Sequence, residues 1–176
     1  TQADIDFERF QTMCVFSIRE EMEKILLTRK LNKMPSIAAN IIKNYGHLDK
    51  KINFVQNLRS KEDYIYKHSL NVSILCALMP HVLNLRVDEQ LETVQAAIIH
   101  DIGKLTVPKN IMNKESLTEE EQEYIRAAQT QGYEMIDIVY SSSPNIKRIC
   151  VQAQRALDSL GTQDDISAMK MVNGAK

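Results

Sequence analysis

The sequence predicts an all-α domain, and three observations carry that expectation. Glycine (5), proline (4) and aromatic residues (6%) are scarce and tryptophan is absent, while Met, Leu, Ile, Ala, Glu, Lys and Gln are plentiful, a palette that favours helix. Apolar residues recur at three- and four-residue intervals, with no strand alternation of any length, no internal repeat and no low-complexity linker. Capping and breaking residues fall where those periodic stretches begin and end. At 176 residues, 44% hydrophobic and 26% charged, the chain suffices for one domain with a full core.

From Ile5 to about Lys30, the residues Phe7, Phe10, Cys14, Ile18, Met22 and Ile25 form one apolar stripe, and "REEMEK" supplies a charged opposite face. This is one long amphipathic helix, which either packs on its own domain or builds a dimer and carries a signal. "NKMPSIAANIIKNYG" reads as a shorter helix starting near Pro35 and stopping at Gly46, and "LDKKINFVQNLRS" as another. "SKEDYIYKHSLNVSILCALMPHVLNL" opens on a Ser60 to Asp63 capping pattern and runs helical, with His68, Val72, Leu75 and Met79 on one buried face. Asp88 caps "DEQLETVQAAIIHD"; Gly103 ends that helix and Pro108 keeps it from resuming, which leaves His100 and Asp101 in its last turn. "SLTEEEQEYIRAAQTQ" opens on a Thr118 and Glu121 capping box, and "PNIKRICVQAQRAL" starts a further helix near Pro144.

A formal net charge of −1 gives no broad attraction for nucleic acid, so none is expected as a partner and any phosphate binding must be local. Cys14, Cys76 and Cys150 sit in apolar surroundings and read as buried thiols in a reducing compartment, hence a cytoplasmic address. No stretch approaches the roughly 20 apolar residues of a membrane span. The start "TQADIDFERF" lacks the basic and apolar regions of a signal peptide, and the missing initiator Met suggests an excised domain.

The chemistry concentrates in "AAIIHDIGKL". His100 and Asp101 together suit Zn, Fe or Mn. An aspartate in so apolar a stretch is desolvated at real cost unless a cation or several hydrogen bonds meet it. A metal, Lys104 or an arginine from a later helix could be that cation. Lys104 could also contact an anionic phosphate or simply be solvated. His68 is either a satisfied core histidine or a further ligand. His81, 13 positions after His68, turns to the opposite side of a helix at about 100° per residue, and His47 beside a loop glycine reads as a surface residue.

"YIYKHSLNVSILCALM", "AAIIHDIGKLTVPKNIMNK", "SLTEEEQEYI" and the following Gly132 resemble the core of the HD-GYP family, a branch of the HD metal-dependent phosphohydrolases, from about Asp63 to Leu157. The resemblance implies a helical HD-domain bundle over 59–176, preceded by an N-terminal helical segment over 1–58. It also implies two or three metals, often iron or manganese, and hydrolysis of cyclic di-GMP. His68 matches the first metal histidine, His100 and Asp101 the metal-ligating pair, and Lys104 the phosphate-contacting lysine, so Asp101 and Lys104 are the catalytic candidates.

The chain departs from that pattern further on. Ala128 stands where the family has a histidine, and Ala153, Gln154 and Arg155 stand where it has two histidines and a glutamate. Gly161, Thr162 and Gln163 replace the glycine-tyrosine-proline, and a further family aspartate falls past "NGAK", with Asp164 or Asp165 the only nearby acids. The expectation is a degenerate member, a pseudoenzyme without cyclic di-GMP phosphodiesterase activity, acting as a signalling or scaffold module or binding a nucleotide through Lys104 and Lys109. The alternative is a mononuclear HD phosphohydrolase acting on a phosphoester or cyclic dinucleotide. The cofactor is then none, or one divalent Fe, Mn or Zn ion at His68, His100 and Asp101. Arg155 either pairs with Asp101 in place of an ion or lies exposed. Expected partners are a cyclic dinucleotide, a signalling protein, or a second copy through the N-terminal helix; no membrane is expected.

Overall fold

The computed structural model describes residues 1–47 and 63–158, and of residues 155–158 the backbone alone. The expected helix "LDKKINFVQNLRS" and the positions Ser60, Gly161, Thr162, Gln163, Asp164 and Asp165 lie outside the described residues, as does the side chain of Arg155. Among the described residues every regular element is helical and there is no strand.

Helix α1 spans Gln2–Thr28, opened by a Thr1 and Asp4 capping box and closed by Arg29 in the left-handed region (φ 57°). It buries Cys14, Ile18, Met22 and Ile25, the stripe that the spacing predicts. The same face buries Glu21, whose carboxylate accepts the backbone N–H groups of Asn32 (2.7 Å) and Lys33 (2.9 Å). Those donors open α2, Met34–Tyr45, whose own N-cap residue makes no side-chain hydrogen bond. One helix thus caps the next, placing an acidic group at a helix N-terminus where orphan N–H groups and the dipole favour it. Glu21→Ala is expected to lower stability by about 1–2 kcal/mol in urea unfolding; no change would mean that water serves those donors equally well.

The next expected helix divides. Helix α3 covers Tyr64–Leu78 and α4 covers Pro80–Leu83, with Asn84 left-handed after it. Pro80 brings no N–H to continue the ladder, so the chain restarts there. Asp63 is the N-cap of α3 without a side-chain cap bond; its carboxylate pairs instead with Arg19 of α1 at 3.2 Å. The buried face of α3 is also not the predicted one. Tyr66, Ser69, Leu70, Ser73, Ile74, Cys76 and Ala77 are buried, whereas Leu75 is exposed and His68 half-buried. A helix covered by α1 and α2 on one side and by α5 on another buries a broad arc, and His68 lies at its edge.

Helix α5, Val87–Ile99, is opened by Arg86, whose N–H donates to Glu89 (2.9 Å), and not by Asp88, which lies within the first turn. It ends at His100, and Asp101 leads into a 3-10 turn, Ile102–Thr106, that runs through Gly103. Gly103 is therefore no left-handed stop: no described glycine has a positive φ. Helices α6 (Lys109–Met112), α7 (Glu119–Val139, with the Thr118 and Glu121 capping box) and α8 (Pro144–Asp158) complete the described chain. Helix α8 packs on α5 and α7, and α7 on the 3-10 turn. One core joins them through fully buried Ile18, Met22, Leu70, Ile74, Ile98, Ile99, Ile102, Ile136 and Ile146. Cys14, Cys76 and Cys150 are buried thiols. No helix among the described residues is long and apolar enough to cross a membrane.

Candidate metal-binding site

Three elements meet around one buried carboxylate. Helix α3 carries His68, the α5 end and the following 3-10 turn carry His100, Asp101 and Lys104, and α7 carries Gln129. What seats α7 there is a backbone-to-backbone contact. A Cβ built on Gly103 would collide with the carbonyl oxygen of Ala128, and one built on Gly132 would lie 2.7 Å from both the Cα and the N of Gly103. Only two facing glycines let the helix lie directly on the turn.

Asp101 is 4% exposed, and its two oxygens face different partners. Oδ2 lies 3.2 Å from Nε2 of His100 and 3.6 Å from Nε2 of His68. Oδ1 accepts from Nε2 of Gln129 at 2.7 Å and lies 3.2 Å from the ammonium of Lys104. Burial by itself would raise the Asp101 pKa, but the His100 hydrogen bond, the His100 and Lys104 charges and the Gln129 amide outweigh it and hold the carboxyl well below the usual carboxylate range. Burial pushes the His68 imidazole below its ordinary value, against the attraction of Asp101, and the His100 and Lys104 charges act in the same direction as burial. Neutral imidazole is the form that binds a metal.

His100 is oriented by its other nitrogen. Nδ1 lies 2.6 Å from the carbonyl oxygen of Ala97, and a carbonyl only accepts, so Nδ1 carries the hydrogen. Nε2 then meets Asp101 either as a lone pair, which requires a cation between them, or as an N–H in the imidazolium. A backbone carbonyl fixing the tautomer of a ligand histidine is the usual second-layer support of a metal site.

The ligand atoms of His68, His100 and Asp101 all lie within 4.8 Å of one another. Zinc–nitrogen and zinc–oxygen bonds of about 2.1 Å set neighbouring ligands about 3.4 Å apart at a tetrahedral angle, and the two N–O separations straddle that value. The residues present fit one ion. The ring of Tyr64 stacks on His68 (centroids 6.0 Å apart, planes at 5°) and the His68 and His100 rings approach to 5.5 Å, closing the imidazole side.

The remaining predicted positions fall as follows. His47 is exposed with Nε2 3.1 Å from the Lys43 carbonyl oxygen, and His81 has Nε2 2.6 Å from that of Gly46, so neither is at the site. Ala128 is buried on α7 at the packing contact, and Ala153 is buried on α8. Gln154 lines a cleft of about 870 Å³ together with Lys104, Gln129, Tyr133, Lys147 and Val151. Lys109 is exposed. Of the three cations offered for Asp101, Lys104 is in place. Gln129 is a site residue that the sequence reading misses: it lies three residues before Gly132, on the same face of α7, but only the tertiary contact puts its amide on Asp101.

An all-α scaffold that closes an adjacent histidine and aspartate onto a third ligand has the make-up of a metal-site domain. The family model described as "HD domain" matches residues 53–176, more than half of the chain, and the chain belongs to that family. It is 30% identical over 105 residues to a cyclic di-GMP phosphodiesterase of Pseudomonas aeruginosa, covering 59% of this chain and 25% of that protein. It is 32% identical over 123 residues to the cyclic di-GMP phosphodiesterase PdeB of Borreliella burgdorferi (64% and 31%). A 3'3'-cGAMP-specific phosphodiesterase of Vibrio cholerae is 31% identical over 85 residues (48% and 20%). The matched stretch thus spans at most about a third of these relatives. No solved structure matches the chain.

Proposed function

We propose that this chain is a degenerate HD-GYP domain without cyclic di-GMP phosphodiesterase activity, serving as a signalling or scaffold module that retains a nucleotide-binding surface. One observation carries the reading. Among the described residues the ligand cluster stops at His68, His100 and Asp101, and Ala128, where the resemblance expects a further histidine, has no lone pair to give. A two-ion site clamps the attacking and leaving oxygens of a phosphodiester and lowers the pKa of the attacking water. Three ligands support one ion, which would supply Lewis-acid polarisation of a phosphoryl oxygen. The chain's own residues then orient and neutralise: Ala97 fixes His100, burial disfavours the charged form of His68, and Lys104 lines the cleft where an anionic phosphate could approach. The names of the relatives make a cyclic dinucleotide the ligand to try first.

A mononuclear phosphohydrolase is the second reading, favoured by the same intact cluster with Lys104 beside it. Metal content of the purified chain after expression with added Mn and Fe, with His68→Ala as control, is expected to give about one ion per chain, lost in the variant. Incubation with cyclic di-GMP is expected to leave the nucleotide intact; turnover abolished by His68→Ala would replace the first reading with the second.

A homodimer through α1 belongs to the same proposal. Ile5, Met13, Phe16 and Leu27 are exposed and fall within one arc of α1 at about 100° per residue. Phe16→Glu is expected to shift sedimentation toward the monomer; a parent chain already monomeric at high concentration would remove the dimer from the reading.

A further inference from the structure

We infer that Gln129 restricts this site to one ion: its amide NH2, with the Lys104 ammonium beside it, stands on Asp101 Oδ1 where a second cation would have to bind. The inference rests on the one-ion reading above and adds to the missing ligand at Ala128 a residue whose donors occupy the oxygen a second ion would need.

The division of labour between the two carboxylate oxygens is the starting point. Oδ2 looks toward His68 and His100, whereas Oδ1 is held by Gln129 Nε2 at 2.7 Å and Lys104 Nζ at 3.2 Å. Two ions in one hydrolytic site stand about 3.5–4 Å apart, and a carboxylate bridging them must offer one oxygen to each. Here the second oxygen is already spoken for by N–H donors.

The orientation of the amide is fixed by its surroundings. Gln129 Nε2 faces Asp101 Oδ1 and, at 3.3 Å, the carbonyl oxygen of His100. Both are acceptors, so the NH2 end must point inward, and an amide nitrogen has no lone pair for a metal. The other end confirms how firmly that orientation is held. Oε1 is buried and has no hydrogen-bond partner among the described residues, a burial that is costly for an amide oxygen. The amide tolerates an orphaned oxygen in order to keep its donors on an ionised carboxylate. The Gly103 and Gly132 contact seats the α7 backbone that bears Gln129 directly on the turn that carries Asp101. Lys104 adds a fixed positive charge at the same oxygen, which would repel an incoming divalent ion.

The test exchanges donors for ligands. Gln129→Glu replaces the amide by a carboxylate of the same shape, and Lys104→Met removes the ammonium with which that carboxylate would otherwise pair. Parent and double variant are equilibrated with Mn2+, and metal per chain, Mn2+ titration heat and the Mn2+-dependent rise in Tm are read. The parent is expected to hold about one ion and the double variant about two, with a larger Mn2+-dependent rise in Tm. A double variant that still takes one ion overturns the inference and leaves the one-ion reading standing. A parent that takes two overturns both. No ion in the parent with ions in the variant supports the role of Gln129 and removes the one-ion reading, and no ion in either overturns both. Should the double variant not fold, as far-UV circular dichroism would show, Gln129→His carries the same comparison by offering an imidazole nitrogen.

Discussion

Replacing Gly132 by alanine is expected to destabilise the chain by about 1–2 kcal/mol net, the overpacking cost less a helix propensity that favours alanine by about 1 kcal/mol. Gly132 lies inside α7 with ordinary helical backbone, so nothing in its dihedral angles opposes a side chain. The opposition is steric. The added Cβ would stand 2.7 Å from the Cα and N of Gly103, which are backbone atoms of the turn bearing Asp101 and Lys104. No flexible side chain is there to move aside, so α7 must lift off, and overpacking of this kind costs about 1–3 kcal/mol or more. The steric cost exceeds the propensity gain. Lifting α7 also draws Gln129 away from Asp101 Oδ1, to which its amide donates at 2.7 Å. Gln131→Ala, one residue away on the exposed side of the same helix, is expected to change stability by no more than about 0.5 kcal/mol. Urea unfolding of both variants decides the matter: a Gly132→Ala protein as stable as its parent would show that the helix and turn are not in hard contact.

That contact illustrates what the sequence could and could not convey. Helical periodicity gave the elements, because a stripe such as Cys14, Ile18, Met22 and Ile25 is dictated by one covered side. It failed for α3, because a helix covered from two directions no longer has one apolar face, and Leu75 and His68 were assigned to a stripe that is not buried as one. Gly103 was legible as special but for the wrong reason. Glycine at a helix end suggests a left-handed cap, whereas its use here is to admit a helix from far along the chain. Asp101 could be picked out because a carboxylate is costly to bury without a partner, whereas the roles of His68 and Lys104 came from the resemblance to the HD-GYP core. Gln129 could not be picked out, since an uncharged amide on an amphipathic helix is unremarkable until the tertiary contact places it on a carboxylate.

Asp101→Ala is expected to cost about 3–5 kcal/mol, the typical penalty for removing one partner of a buried charged network, and to abolish ion binding. The loss exceeds that of a surface ion pair because the partners cannot turn to water: Gln129 is buried and only a third of the Lys104 side chain is exposed. The pH dependence has a definite sign. Asp101 is held well below the usual carboxylate range in the folded chain, with burial opposing and the His100 bond, the His100 and Lys104 charges and Gln129 prevailing. A carboxyl whose folded pKa is depressed contributes stability that is complete above its unfolded value, about 3.9, and is lost as the pH falls from there toward the folded value. With a chelator present, the part of the gap in unfolding free energy between parent and Asp101→Ala that comes from the Asp101 carboxyl is therefore expected to shrink as the pH falls below about 4. Asp101→Asn separates charge from shape. It keeps the volume and an acceptor for Gln129 but gives Lys104 no counter-charge, so its cost is expected to fall between parent and Asp101→Ala. An Asp101→Ala chain within about 1 kcal/mol of the parent would mean that the buried donors are satisfied without the carboxylate, and that the ionised carboxylate does not hold α7, the 3-10 turn and α3 to a common centre.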